Sequence, residues 1–281
     1  MRLSFFTKLF FSLPLKVRVY IYFLYRHRYY LSIRKPSTFS EKVNARKFHY
    51  MPIYSVLADK YRVRDYVSAK IGEEHLIPLV YSCDVEDFKE FPLLEGELVA
   101  KTNHGSGPEH LEFLPSKKSN ADLFNKFNLA LNSDFNGVKF GESHYSYIAR
   151  KLIIEKRLGE GTLPEDFKFH IFENNGNPIW FLQVDAGRYV NHIRNFYNSN
   201  LELMDLQLLH PNGRYSLPSH ESIKTMANLG IKLVACLKYA RVDFYLVGSK
   251  IYFGEITLTP GSGFERFSDV AIDKLWGAYW C

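Results

Sequence analysis

The pattern of apolar and polar positions changes character along the chain. Residues 3–33, LSFFTKLFFSLPLKVRVYIYFLYRHRYYLSI, are aromatic and apolar with basic residues interleaved amphipathically, and Pro14 breaks the segment in two. Over 36–71, Ser40 with Glu41 close behind precedes apolar positions at Tyr54, Val56, Leu57, Tyr61, Val63, Tyr66 and Val67. That spacing predicts one or two helices stopped by Gly72 as a C-cap. LIPLVYS (76–82) and ELVAK (97–101) are short apolar runs of strand type, and 119–135 returns to helical spacing. Beyond 151 strands dominate: KLIIEKRL (151–158), DFKFHIF (166–172), PIWFLQVDA (178–186), ARVDFYLV (240–247) and KIYFGEIT (250–257). One more helix is predicted over 219–239 from Ile223, Met226, Ala227, Ile231, Leu233 and Val234. Adjacent hairpins mixed with helices predict an α+β fold rather than a doubly wound parallel sheet.

Composition narrows the function. At 281 residues, 46% hydrophobic and 23% charged, the chain has ample core and is not disordered. Cys83, Cys236 and Cys281 are widely spaced with no CxxC, which argues against a disulfide framework or a structural zinc site and for a reducing compartment. The net charge of +6 suggests nucleic acid until its distribution is read. Arg2, Lys8, Lys16, Arg18, Arg26, Arg28, Arg34 and Lys35 all fall in the first 40 residues, which hold no acid, leaving 28 basic against 30 acidic residues beyond. The basic character belongs to an N-terminal arm, so no nucleic-acid partner is expected. The arm's longest uncharged stretches, Leu9–Leu15 and Val19–Tyr25, are seven residues each, far short of the roughly 20 that cross a bilayer. It also lacks a small-residue cleavage site, so no signal peptide is expected. Two readings of the arm compete: helices packed on the body with their basic groups in water, or docking on an anionic membrane surface. The expected location is cytoplasmic, resting on the inner face of a membrane.

Several segments carry chemistry. In VAKTNHGSG (99–107) a strand bearing Lys101 runs into a loop with Gly105, Ser106 and Gly107. Such a loop can close backbone N–H groups over an anion while the lysine supplies a point charge, although a plain hairpin turn explains it equally. RVDFYLVGSKIYFGEIT (241–257) reads as a hairpin turning at Gly248. With a three-residue loop, Val247 faces Ile251 and Asp243 faces Glu255, so both carboxylates share a face; a two-residue loop would separate them. Paired carboxylates among apolar residues need a cation, either Mg²⁺ bridging substrate phosphates or a structural partner such as Arg241 or Lys250. Glu155, Lys156, Arg157 and Leu158 end an apolar strand that could wall a flat base. Lys168 alternates with Phe167 and Phe169 and, on its own, reads as an exposed strand lysine. In DAGRYVNHIRNFY (185–197), Arg188, His192 and Arg194 cluster with Tyr189 and Tyr197, which suits an anionic or sugar ligand or simply a solvated basic loop. TPGSGFERF (259–267) is a second Gly/Ser loop just beyond Glu255.

The order of these parts resembles the ATP-grasp superfamily, and within it the TupA-like branch of polysaccharide biosynthesis. The resemblance rests on KPSTFSEKVNARK (35–47), LADKYRVRDYV (57–67), IGEEHLIPL (71–79), VAKTNHGSG, DFKFHIF, VNHIRNFY (190–197) and VDFYLVGSKIYFGEITLTPGSGF (242–264), and covers about residues 35–270. It implies a nucleotide bound between two α+β lobes. Residues 1–35 would form the basic arm, 36–95 an N-terminal α/β region, 96–158 the central lobe with the glycine loop, and 159–281 the C-terminal lobe with the metal-binding hairpin. By the same resemblance Lys101 and Lys168 touch the phosphates of ATP, and Gly105, Ser106 and Gly107 close over them. Glu155, Lys156 and Leu158 line the adenine hinge, and Asp243 and Glu255 hold Mg²⁺ with Thr257 standing where the superfamily usually has Asn. Glu160, Glu165 and Asp166 are alternatives for the ribose. Arg241 joins Lys101 and Lys168 as catalytic, and Arg188, His192, Arg194, Gly261 and Ser262 face the acceptor.

The implied activity is ATP-dependent ligation of a carboxylate to an amine through an acyl phosphate. The carboxylate would belong to a uronic-acid glycan or its lipid-linked precursor, and the amine to an amino acid or amino sugar. No Ser–His or Cys–His nucleophile is needed, since positioning and charge neutralisation suffice. The alternatives are a sugar kinase on the same ATP site, a glycosyltransferase whose metal sits on Asp243 and Glu255, and a binding module with a decayed site.

Overall fold

The computed structural model describes residues 5–159, 164–187 and 191–281. The arm forms two helices, α1 (Phe5–Ser12) and α2 (Leu15–His27), separated at Pro14. Where the spacing predicts one or two helices over 36–71 there are three: α3 (Phe39–Arg46), α4 (Pro52–Ala58) and α5 (Val63–Ile71). Thr38, not Ser40, starts the first, closing a capping box with Glu41. Pro52 occupies a first-turn position where its missing N–H costs nothing, so it opens a new helix. Gly72 ends α5 at φ 102°, a positive φ that glycine adopts freely.

A four-stranded antiparallel sheet has the order β1 (Leu79–Asp84), β4 (Lys151–Lys156), β2 (Leu98–Thr102), β3 (Leu111–Leu114). Its first strand comes from the N-terminal region. On one face Leu98, Ala100, Leu152 and Ile154 bury against Leu123, Phe127 and Leu131 of α6 (Asn120–Leu131). Period-two alternation sends Val99, Lys101, Ile153 and Glu155 to the other face.

The second sheet is five-stranded and antiparallel, in the order β7 (Ile193–Tyr197), β6 (Ile179–Ala186), β5 (Asp166–Phe172), β8 (Tyr239–Val247), β9 (Lys250–Thr257). Phe167, Phe169, Ile171, Val242 and Phe244 pack against Ile223, Met226 and Leu233 in a core built around α7 (His220–Val234). The opposite face carries an aromatic cluster, Phe172, Phe181 and Tyr239, covered by Phe39 of α3 and Trp276 of α8 (Val270–Tyr279). β5 is therefore buried on both faces, which corrects the reading of Lys168 as exposed: it is only 7% accessible.

The β8–β9 hairpin departs from the expected turn. Val247 pairs with Lys250, a two-residue loop at Gly248 and Ser249, where a three-residue loop is expected from the sequence. Asp243 nonetheless pairs with Glu255, because the register slips by one between Phe244↔Phe253 and Asp243↔Glu255, leaving Gly254 as a bulge. A Cβ at Gly254 would lie 3.0 Å from the Asp243 carbonyl oxygen, so glycine suits that close backbone approach. β3, β7 and α8 have no counterpart among the predicted elements.

No helix among the described residues is long and apolar enough to cross a membrane. The arm folds onto the body instead: Val19 and Phe23 of α2 are fully buried in a cluster with Leu31 and Phe264.

Candidate active site

A cleft of about 1110 Å³ is lined by both sheets. Ile77, Val99, Phe113 and Leu158 supply an apolar stretch, and Lys101, Glu155, Asp166 and Asp185 are among its charged residues.

On the four-stranded sheet, Val99 stands opposite Glu155 and Lys101 opposite Ile153, so Lys101 and Glu155 are diagonal neighbours on one face. The Lys101 ammonium lies 2.6 Å from Glu155, whose other oxygen accepts from Arg64 of α5 at 3.0 Å. The Glu155 carboxylate is thus committed to two cations. At the hinge, the Lys156 N–H donates to the Pro78 carbonyl and the Arg157 N–H to that of Glu97, each at 3.0 Å. Lys156 and Leu158 are among the residues that line the cleft.

The glycine loop bridges β2 and β3. A Cβ at Gly105 would meet the His110 imidazole at 2.2 Å, and Gly107 has φ 97°, so both positions favour glycine for physical reasons. Lys60 donates to the Gly105 carbonyl at 2.7 Å; burial lowers its pKa, against the pull of Glu255 and other nearby acids. Ser106 and Gly107 are exposed at the tip. His104 is buried, and burial holds its pKa near 4, so its ring stays neutral.

On the five-stranded sheet, pairing brings Lys168 opposite Asp243 and Asp243 opposite Glu255. Lys168 donates to Asp166 at 2.5 Å and to Asp243 at 2.9 Å. Arg241 holds Asp243 through Nε at 2.7 Å and Nη2 at 2.8 Å, and the same Nη2 reaches Glu255 and Thr257, each at 3.1 Å. Burial alone would raise the Asp243 carboxyl; Arg241 and Lys168 outweigh it and hold the group below the ordinary carboxylate range. Asp243, Glu255 and Thr257 form an oxygen-only donor set of the kind Mg²⁺ takes together with substrate phosphates. Among the described residues no three acidic, histidine or cysteine side chains cluster as a metal site. The donor set fits a metal completed by phosphate oxygens, with Arg241 the group it would compete with.

The expected acceptor residues form two groups that meet at Glu265, which Arg194 reaches and against which Gly261 packs. Arg188 and Tyr189 lie outside the described residues, as does Glu160. Arg194 and His192 both reach Asp185, at 2.6 and 3.0 Å, and Arg194 also reaches Glu265 at 3.1 Å. Burial would raise the Asp185 carboxyl, but Arg194, Gln183 and His192 hold it well below the usual range. Gly261 and Ser262 belong to a turn fixed from several sides. Glu142 accepts from the hydroxyls of Thr259 and Ser262, Lys47 donates to the Ser262 carbonyl at 2.5 Å, and Asn44 donates to that of Gly263 at 2.7 Å. Among the ribose alternatives, Glu165 accepts from the Tyr215 hydroxyl and Asp166 from Lys168.

Arg64, Lys60, Gln183, Asp185 and Glu142 are not singled out by the sequence. Lys60 and Arg64 leave a signal there, inside the LADKYRVRDYV stretch, and Asp185 opens the DAGRYVNHIRNFY segment. Glu142 is brought to its turn by loop packing over more than a hundred residues.

A family model described as TupA-like ATPgrasp matches residues 41–281. No curated protein sequence matches. Solved structures similar to the chain include D-alanine–D-alanine ligase from Helicobacter pylori, at 14% identity and TM-score 0.47 over 80% of this chain and 61% of that one. D-alanine–D-alanine ligase from Bacillus anthracis complexed with ATP matches at 17% identity and TM-score 0.40 over 72% and 54%. N5-carboxyaminoimidazole ribonucleotide synthetase from Thermus thermophilus matches at 13% identity and TM-score 0.41 over 72% and 45%. The chain thus spans less than two thirds of the length of each.

Proposed function

Because the chain belongs to the TupA-like ATP-grasp family, we propose that it is an ATP-dependent ligase joining a carboxylate to an amine. The observation that carries this reading is a single cleft, flanked by Lys101 and the Lys156–Leu158 hinge on one sheet and by Asp166, the partner of Lys168, on the other. The apolar stretch at Ile77, Val99, Phe113 and Leu158 suits a flat base. Lys101, Lys168 and the glycine loop suit the phosphates, whose charge they would neutralise. When bound, Mg²⁺ on Asp243, Glu255 and Thr257 would draw charge from the β- and γ-phosphates.

The chemistry needs no protein nucleophile. An acceptor carboxylate oxygen attacks the γ-phosphorus, the bond to the bridging oxygen breaks, and ADP leaves behind an acyl phosphate. The amine then attacks the acyl carbon, inorganic phosphate departs with the C–O bonding pair, and the nitrogen gives up its proton. Lys101 and Lys168 align the phosphates and Arg241 shields the developing charge. The turn at Gly261 and Ser262, with His192 and Arg194, borders the acceptor. The acceptor we propose is a uronic-acid-bearing surface polysaccharide or its lipid-linked precursor, and the amine an amino acid or amino sugar. Such a precursor, met at the cytoplasmic face of a membrane, suits the purely basic arm.

Calorimetry with a non-hydrolysable ATP analogue tests the reading. Binding should tighten when Mg²⁺ is added, and in its presence weaken by about tenfold or more in Glu255→Gln. Folded protein that binds no nucleotide would overturn it and make nucleotide sugars the next titrant. ADP released only when carboxylate and amine are both present separates a ligase from a kinase.

A further inference from the structure

Helix α2 is apolar on two faces and only one of them is buried. Its inner face buries Val19 and Phe23, and at its end Arg26 donates to the Phe264 carbonyl at 3.0 Å while His27 bonds that of Gly263 at 2.9 Å. Its outer face presents Val17, Tyr20, Ile21, Leu24 and Tyr25, between 36% and 60% exposed, at positions that form one stripe along the helix. A helix face this apolar is normally covered. The outer stripe is left about half exposed, with Arg28 lying over the Tyr25 ring.

Charge says what would cover it. Lys16 and Arg28 are exposed at the two ends of the stripe, Arg34 and Lys35 are exposed just beyond it, and Arg28 sits over the Tyr25 ring at 5.3 Å. The first acid in the chain is Glu41, which is buried. The occupant must therefore be apolar where it meets the stripe and anionic around it. A second copy of the chain would bring two purely basic arms together, which charge repulsion opposes. We propose that the outer face of α2 docks on an anionic phospholipid bilayer, with the helix lying in the plane of the interface. At 13 residues, about 20 Å long, it is too short to span the roughly 30 Å hydrocarbon core. Tyrosines with an apolar ring and a polar tip suit the headgroup boundary. The same helix grips the Gly263–Phe264 backbone, so docking would hold the 260–264 turn about one helix diameter, on the order of 10 Å, from the lipid. That is the position from which a lipid-borne acceptor could be reached.

The test is flotation of the full chain with phosphatidylcholine vesicles, with and without phosphatidylglycerol. Binding should appear on the anionic vesicles, fall as salt is raised, and drop about tenfold or more in the double variant Ile21→Glu/Leu24→Glu. The far-UV spectrum and melting point should stay unchanged, because these side chains are exposed. Should the double variant melt early, Tyr25→Glu alone, at the most exposed of the five positions, should show the same direction of loss. Absent or equal binding to both vesicle types, or undiminished binding by the variants, overturns the proposal. A dimer that the variants split would make a second copy the occupant and overturn it too. Vesicle binding needs no nucleotide, so a failure of ATP binding would leave this inference standing.

Discussion

The two sheets bordering the cleft use the same kinds of side chain with opposite balance. Around Glu155 of the four-stranded sheet, two cations, Lys101 and Arg64 of α5, share that one acid, and Lys60 adds a third cation at the glycine loop. Around Asp243 of the five-stranded sheet, two cations, Lys168 and Arg241, face three acids, Asp166, Asp243 and Glu255. A surplus of positive charge is what phosphates require, and a surplus of carboxylate is what a divalent cation requires. Each side is internally paired without ligand, so its groups are already positioned before anything binds. On the function proposed above, sign, more than residue type, would separate a phosphate wall from a metal wall.

The comparison breaks hardest at Asp243. This carboxylate is buried and holds both Lys168 and Arg241, so Asp243→Ala leaves two buried cations short of their partner. We expect a loss of about 3–5 kcal/mol of stability, read as a lower urea midpoint, together with loss of Mg²⁺-dependent nucleotide binding. Glu255 is different: its side chain is 39% exposed and Arg241 keeps its bond to Asp243 without it. Glu255→Gln should change stability by under about 1 kcal/mol while weakening nucleotide binding only in the presence of Mg²⁺. Lys101→Met sharpens the contrast from the other side. It leaves Glu155 paired with Arg64 and should weaken nucleotide binding about ten- to hundredfold whether or not Mg²⁺ is present. Calorimetry of the two variants with and without the metal measures the difference directly.

A smaller effect runs through pH. His104 lies buried at the glycine loop with its pKa held near 4 by burial, and His170 lies buried in the second sheet with its pKa held near 3 by burial and by Arg241. Both are neutral in the folded protein, whereas the unfolded chain protonates its histidines near 6.5. Below pH 6.5 the unfolded state therefore binds more protons, and stability falls as pH drops from 6.5 through 4 towards 3. Above pH 6.5 these groups contribute no slope. Urea midpoints between pH 7.5 and 4.5 should decline in the wild type, and His104→Gln should flatten part of that decline. An equally steep decline in the variant would remove His104 from the account.

Local pattern carries much of this fold. The strands at 151–158, 166–172 and 240–257 and the helix at 219–239 are readable because their apolar positions repeat with a strand or helix period over many residues. β7 and β3 are not, being short and carrying charged residues, Arg194 in the former and Glu112 in the latter. Candidate site residues of distinctive type, such as Lys101, Asp243 and Glu255, can be singled out along the chain. Arg241, two residues from Asp243, is legible as its partner, but the pairing of Arg64 with Glu155, 91 positions away, and of Lys168 with Asp243, 75 away, is not. Burial of Lys168 follows from β5 being flanked by β6 and β8, which the order of residues alone does not state. The expected pairing of Asp243 with Glu255 holds through a bulge rather than through the turn.

That bulge supplies the subtlest test of the two-wall contrast. With a two-residue turn and unbroken register, Asp243 would face Gly254, and Glu255 would be carried to the other face of the sheet. Gly254 is the extra residue that restores the pair, and it does so by letting β9 pass close to the Asp243 carbonyl. In Gly254→Ala the new methyl would sit 3.0 Å from that oxygen and 3.1 Å from the Tyr245 ring. The backbone must yield by a few tenths of an ångström to relieve the contact. The expected cost is about 1 kcal/mol of stability, with a several-fold loss of Mg²⁺-dependent nucleotide binding and no change in metal-free binding. The last point decides the matter. A shift confined to the carboxylate side leaves Lys101 and the glycine loop untouched, so equal weakening with and without Mg²⁺ would mean that the two sides do not divide the work by charge.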